Sequence, residues 1–490
     1  MKNKFIWPAC ALALGLSLSG CKDSLDITPQ QSIDAATSYD TSQKVAAAVV
    51  GTYSRLDDPR LYGTDLILVP ELLAANGYVA WAGTFQNYSQ ISRHTQTSTL
   101  SNAQGIWTQA YAAINQCNLV LANLDAVTDA GQRTQFEGEV QFIRGIMYFE
   151  LVRLYGQQYQ AGGNNTQPGV PINLTAVTTT EQADIKLPRA SVEDVYTQVV
   201  TDLLSAISKL PKQNVTRASK YSAEAMLARV YLQQGNYVAA RAMADDVIKN
   251  SGAALQGSVG AIFANRNSAE SLFEIQQNDQ NNAGTSNDGL ATYFAGYSPT
   301  GDQSVLYGRG DLYIQSAFVN LYGPTDLRGT DGRPALTTQK LIYVSDGNSR
   351  TGRYRTIKWR TYGQNIPVAR LAEMYLIRAE ADARAGKTTQ ALLDVNAIRR
   401  RSGATPLTSV TVDNVLLERQ LELAFEGFRI HDLRRTNGIV IPEVLAKPAT
   451  ATTPATAYTP PVRATNAFFI LPIPQREINN NSLLTQNDGY

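Results

Sequence analysis

Apolar residues recur at three- and four-residue steps through much of the chain, the mark of helices that bury one face. Between Ser42 and Leu56 the stripe is Val45, Val49, Tyr53 and Leu56. Between Asn102 and Leu124 it is Ile106, Trp107, Ala110, Ile114, Cys117 and Leu121. Between Gln132 and Tyr155 it is Phe136, Val140, Ile143, Met147 and Leu151, with Gly156 following as a C-cap. Ser191 caps a fourth helix that runs through Val195, Val199, Leu203 and Ile207 to Leu210–Pro211.

Two later segments, Ser222–Ile248 and Arg370–Ile398, read as copies of one helix–turn–helix unit. Superposed, they align Ala228 with Ala379, Gly235 with Gly386 and Ala240 with Ala391. Small residues at these places let antiparallel helices approach closely, with glycine at the turn. This is the logic of a tetratricopeptide hairpin, which buries its core by stacking on a neighbour. The fold class expected is therefore mostly all-α: tetratricopeptide-like hairpins with long irregular inserts and a few short strands. Because so much chain separates the copies, no continuous solenoid is expected. One insert covers Asp57–Thr99, the other Gly252–Asn365, with short strands predicted near Leu272–Gln276 and Arg353–Trp359. A Pro/Thr/Ala loop spans Lys447–Arg463, and the apolar run Phe468–Pro474 is expected to dock on the body.

The start of the chain has a different pattern. Lys2 and Lys4 precede an apolar run, Phe5–Leu18, too short to span a bilayer, and Leu18-Ser19-Gly20-Cys21 resembles a bacterial lipobox. Residues 1–20 are thus a lipoprotein signal peptide, and Cys21 is the lipidation site that tethers the protein to a membrane through polar residues 23–38. Cys10 leaves with the signal, so Cys117 is the one remaining thiol. It forms no internal disulfide and is expected to be a small buried hydrophobe. With 43 basic and 42 acidic residues the formal charge is +1, which gives no electrostatic footprint for nucleic acid and makes a neutral partner the default.

Chemical motifs are few. His94 and His431 are the only histidines, so no zinc-type cluster exists and neither a metal nor a cofactor is implied. The acidic run Asp326–Asp331 suggests at most a calcium-supported loop. Gly386-Lys387-Thr388 lacks the glycine of a phosphate loop at Ala381 and is a hairpin turn. Glu418, Glu422 and Glu426 fall at four-residue steps and are read as ion pairs to Arg399, Arg400, Arg401, Arg429 or Arg434 that tie helices together. A hydrolase would need two acids about 5 to 10 Å apart, for which Asp65 and Glu71 are the candidates.

Several motifs, in order, resemble the SusD/RagB family of outer-membrane nutrient-binding lipoproteins of the Bacteroidetes. They are GTYSRL at Gly51–Leu56, IWTQAYAAINQCN at Ile106–Asn118, EVQFIRGIMYFELVRLYG at Glu139–Gly156 and RLAEMYLIRAEADARAG at Arg370–Gly386. NAIRRRSG at Asn396–Gly403, LERQLELAFEGFRIHDLRR at Leu417–Arg435 and the closing LPIPQREINNNSLLTQNDGY complete the set. The Lys447–Arg463 loop is a local elaboration. The resemblance implies an N-terminal helical region, 21–215, and a C-terminal region, 216–490, in one integrated body. It further implies a surface-exposed protein without catalytic residues. Such a protein captures oligosaccharides, or in some members peptides, and passes them to a SusC-like TonB-dependent transporter.

A neutral glycan requires flat aromatic platforms ringed by amides, carboxylates or arginine. Both inserts have that mixture: Asn76, Tyr78, Trp81, Phe85 and Tyr88 in the first, and Asn278, Asp279, Asn281, Asn282, Tyr293, Tyr297, Tyr307 and Arg309 in the second. The expected ligand-binding residues are Asn76, Tyr78, Trp81, Tyr293, Tyr297 and Arg309, with Trp81 as the stacking platform. Trp107, on a core stripe, and Trp359, in an alternating run, are weaker candidates. The readings that compete with glycan capture are peptide capture, hydrolysis and a purely structural lipoprotein.

Overall fold

The computed structural model describes residues 38–264, 266–296, 308–335, 337–345, 351–443, 445–446 and 456–490. Cys21, Tyr297 and Tyr307 lie outside them.

The predicted stripes form helices Ser42–Arg55, Ser101–Ala122, Ala130–Tyr155 and Val192–Lys209, and the two repeats form the hairpins Lys220–Gln233/Tyr237–Asn250 and Leu371–Arg384/Thr388–Arg401. From Ser101 onward each long helix packs on the next in chain order. Helix Tyr237–Asn250 packs directly on Leu371–Arg384, so the interruption in sequence closes in space and the array runs on past the insert. Arg378 joins the two hairpins by pairing with Asp245 on one and Asp394 on the other, both at 2.7 Å.

The aligned residues of the two copies do matching work. Gly235 and Gly386 both have φ +73, and their N–H groups bond to Leu232 O and Ala383 O. The next residues, Asn236 and Lys387, bond back to Tyr231 O and Asp382 O. Each first helix therefore ends in a Schellman cap that needs a left-handed residue at its glycine. Ala228, Ala379, Ala240 and Ala391 are fully buried where the helices cross.

Strands are short. Val79–Trp81, Leu312–Ile314, Tyr354–Thr356 and Ile342–Val344 form one antiparallel sheet in that spatial order, joining the first insert to the second. Ser271–Ile275 pairs antiparallel with Ile366–Arg370, at the base of the hairpin that follows. The C-terminal apolar run docks as expected: Leu471 and Ile473 are buried, and Leu471 N–H bonds to Leu154 O at 2.7 Å.

The glutamate stripe is a sealed ion-pair cluster, with a geometry that differs from the sequence reading. Helix Val412–Glu422 ends at Glu422, and the chain turns through Phe425 at φ +69, so Glu426 is off the helix. It nevertheless meets Arg370 at 2.8 Å and Lys358 at 2.7 Å. Glu422 meets Arg370, Arg401 and Arg328, and Glu418 meets Arg328 and Arg399. Arg328, Lys358 and Arg370, distant in sequence, supply most of the countercharge. Arg434 instead donates to the carbonyls of Arg153 and Gly156. Asp326 is paired with Arg328, whereas Asp331 accepts from Thr338, so the two do not converge. Among the described residues no group of three His, Cys, Asp or Glu side chains could hold a metal, and no helix is long and apolar enough to cross a membrane.

Cys117 is fully buried, and burial pushes its thiol well above its usual range. Trp107 is a core residue, and Trp359 is wholly buried with its indole N–H donating to Phe425 O at 2.9 Å.

Candidate ligand-binding site

The four-stranded sheet brings the two inserts edge to edge. Trp81 lies opposite Leu312, and Ala82 N–H donates to Asp311 O at 2.7 Å, which sets Trp81 beside the segment carrying Arg309 and Asp311. Gly83 permits this, since a Cβ there would meet Trp81 Cζ2 at 2.6 Å and Asp311 Cγ at 2.7 Å. The short helix Gln86–Ser92 then supplies Tyr88, and Leu290–Phe294 supplies Tyr293.

The result is an aromatic group. The Trp81 ring centroid is 4.9 Å from that of Tyr88 and 5.5 Å from that of Tyr293, and Tyr88 and Tyr293 are 5.2 Å apart. Phe85 stands edge-on to both tyrosines at 6.4 Å. The Arg309 guanidinium lies 4.9 Å over the Phe85 ring and 5.5 Å from the Tyr293 ring, and pairs with Asp311 at 2.8 Å.

Burial divides these residues into floor and face. Tyr88 and Tyr293 are buried; their hydroxyls donate to Asp65 Oδ1 at 2.8 Å and Asp288 Oδ1 at 2.7 Å. Burial pushes both phenols upward, so they stay neutral donors. Arg60 sits between the two carboxylates, 3.1 Å from Asp65 and 3.9 Å from Asp288. Phe85, at 39 % exposure, and the partly exposed Trp81 and Arg309 form the face. The Trp81 Nε1–H is buried without an acceptor among the described residues.

Of the residues expected to bind ligand, Trp81, Tyr293 and Arg309 come together here, with Tyr293 in the floor. Asn76 is exposed on the turn before the strand. Tyr78 does not face solvent. It is buried, stacked on Phe425 at 5.5 Å and edge-on to Phe318 at 4.6 Å. Tyr78 stands on the turn before the strand, so its ring goes into the core with Phe318 and Phe425 while that of Trp81 packs on Tyr88 and Tyr293. Phe85 was legible as an out-of-period aromatic, whereas Arg60, Asp65 and Asp288 as floor supports carried no signal in the sequence.

Asp65 and Glu71 do not form a hydrolytic pair. Both are fully buried on one helix, Asp65–Leu73, six residues and so about 240° apart around its axis. Asp65 is enclosed by Arg60, Tyr88 and Asn102, and Glu71 accepts from Gly427 N–H at 2.7 Å and Phe428 N–H at 3.1 Å. Burial pushes Glu71 up to about 7.

Comparison with known proteins agrees with the fold and the motifs. The family model for the SusD family matches residues 343–490, and one described as starch-binding associating with outer membrane matches 23–232. The chain belongs to the SusD/RagB family. It is 26% identical to SusD-like protein P2 of Formosa agariphila, over 98% of each chain. It is 24% identical to starch-binding protein SusD of Bacteroides thetaiotaomicron, over the whole of both. A crystal structure of a SusD superfamily protein from B. thetaiotaomicron superposes with a TM-score of 0.76 at 24% identity, covering 91% of this chain and 99% of that one. This SusD-like chain therefore shares both the motifs and the mostly helical architecture of the family.

Proposed function

We propose that this protein captures a neutral glycan at the Trp81–Phe85–Arg309 face and passes it to a SusC-like TonB-dependent transporter. On this reading it is held at the outer-membrane surface by lipid on Cys21 and performs no catalysis. The observation that carries the reading is the partly exposed aromatic face with an arginine over it, assembled from both inserts on a rigid floor. Sugar C–H faces stack on such rings, and the guanidinium and neighbouring polar groups take up hydroxyls. The starch-binding relative and the outer-membrane description of the matched family support the ligand class and the location.

The test is affinity electrophoresis of the full chain in detergent, through gels containing plant, microbial and host polysaccharides, with Trp81→Ala alongside. Retardation by one glycan class, weakened tenfold or more in the variant (about 1.4 kcal/mol), is expected. Retention of a peptide mixture with no glycan retention would refute the sugar assignment, and reducing-sugar release from a retained glycan would refute the non-catalytic one. Co-purification of a barrel with the wild type from membranes, and release of Cys21→Ala from them, test the partner and the anchor.

A further inference from the structure

Three neighbouring cavities form a trough that contains none of Trp81, Phe85, Tyr293 or Arg309. One, of about 520 Å³, lies against the C-terminal half of helix Ser42–Arg55, and shares Ser54, Asp57 and Asn281 with a second of about 430 Å³. The second shares Arg217, Phe273 and Glu274 with a third of about 260 Å³. The two larger ones each fall in the range of small-molecule sites.

The lining suits a hydroxyl-rich, uncharged chain. Gln109, Gln116 and Asn282 present amides at one end, and the Tyr53 and Phe273 rings, 6.5 Å apart, give the middle an apolar wall. Charge along the trough is balanced, with Arg55, Lys212 and Arg217 against Asp57, Asp58 and Glu274; Arg217 also pairs with Glu139 at 3.1 Å, and Asp57 accepts from Asn281 Nδ2 at 2.8 Å. At the far end Glu274 is only 4 % exposed. Its Oε2 accepts from Asn267 N–H and Asn365 Nδ2, both at 2.8 Å, while Oε1 has no partner. The hydroxyls of Ser268 and Ser271, lining the same cavity, are also buried and unpartnered. Buried polar atoms are nearly always paired, so three orphaned oxygens around one cavity are hydrogen-bonding capacity that the protein itself leaves unused. The near end of the trough adjoins the aromatic site, because Pro59 lines it and Arg60, the next residue, holds Asp65 and Asp288 under Tyr88 and Tyr293.

We infer that the trough is a second carbohydrate subsite, which receives further sugar units of a neutral polysaccharide whose other units rest on the Trp81 face. The inference rests on the glycan-capture reading above. It makes affinity depend on chain length, because a short fragment covers the aromatic face alone.

Gly51→Leu is the blocking variant: Gly51 lines the trough on a helix, a Cβ there meets nothing within 4 Å, and leucine is the better helix former. Ser54→Leu, on the same wall, is the second. Titration calorimetry of the full chain in detergent would use trisaccharide and heptasaccharide fragments of α-1,4-glucan, β-1,4-glucan and β-1,4-xylan. The expected result is that the wild type binds one heptasaccharide at least fivefold more tightly than its trisaccharide. Both leucine variants then erase that advantage and leave trisaccharide affinity unchanged. An advantage that survives in both variants, or is absent from the wild type, overturns the trough while trisaccharide binding lost in Trp81→Ala still upholds the aromatic site. Trisaccharide binding unaffected by Trp81→Ala, with the heptasaccharide weakened by Gly51→Leu, upholds the trough and overturns the aromatic site.

Discussion

Replacing Glu422 by glutamine keeps the shape of the side chain and removes one charge from the sealed cluster. The wild-type carboxylate lies 2.6 Å from Arg370, 2.5 Å from Arg401 and 3.0 Å from Arg328. Glu270, Asp326, Glu418, Glu422 and Glu426 balance Arg328, Lys358, Arg370, Arg399 and Arg401 one for one. An amide at 422 leaves an uncompensated buried cation, and breaking a buried pair in this way costs about 3–5 kcal/mol. Unfolding entropy of about 2.1 cal/mol/K per residue makes roughly 1 kcal/mol/K for a chain of this length, so Tm should fall by about 3–5 °C. Paired thermal melts at neutral pH measure this, and the drop should persist in high salt because the cluster excludes solvent. Adding Arg401→Met to Glu422→Gln should cost less than the sum of the single changes, by about 1 kcal/mol or more. Burial opposes ionisation of Glu422, but Arg401, Arg370 and Arg328 outweigh it and hold the carboxyl well below its usual range. Its stabilisation is therefore complete above the unfolded value of 4.5 and is lost as pH falls below it, so variant and wild type should converge in acid. A variant melting within about 1 °C of wild type at neutral pH would refute the reasoning, because a loss of the stated size cannot leave Tm so nearly unmoved.

The two turn glycines separate backbone strain from crowding. Gly386→Ala should cost about 1 kcal/mol for φ +73 alone, and Gly235→Ala more, because its Cβ would also sit 2.9 Å from Ala161 Cβ; denaturant midpoints of the pair give the order. His431 is buried, and burial, with Arg153, Arg434 and Arg229 nearby, lowers its pKa well below 6.5. The folded state thus disfavours the imidazolium, and stability should fall as pH drops below 6.5, by up to about 1.4 kcal/mol per pH unit. In His431→Met that part of the slope should vanish from urea midpoints taken between pH 7.5 and 5.5.

The helices were legible because a long amphipathic period repeats many times, and the hairpin because glycine and alanine recur at matched places. The cluster was only half legible. Glu418, Glu422, Arg399 and Arg401 sit close together in the chain, but Arg328, Lys358 and Arg370 reach the glutamates from the second insert and the strand after it. The site was legible as composition and illegible as geometry. Strand Val79–Trp81 has three residues, too few for alternation to show, and its partner Leu312–Ile314 lies more than two hundred residues on. Nothing local therefore separates an aromatic on the partly exposed face of the candidate site from one that faces the core.

Tyr78 shows what that distinction implies. From the turn before the strand its hydroxyl accepts from Phe425 N–H at 2.8 Å, its ring stacks on Phe425, and Gln315 N–H bonds to its carbonyl at 2.9 Å. Phe425 stands at φ +69 between Glu422 and Glu426, so the charge cluster and the strand bearing Trp81 share one buried joint. Tyr78→Phe keeps the stack and removes the acceptor, leaving the Phe425 N–H orphaned at about 1–3 kcal/mol. Stability should therefore fall, whereas glycan affinity should fall less than in Trp81→Ala, since Trp81 is displaced only as far as its strand loosens. Melting and affinity electrophoresis on the same preparations decide between positioning and contact. An affinity loss equal to that of Trp81→Ala, with Tm unchanged, would place Tyr78 against the ligand and overturn its assignment to the core.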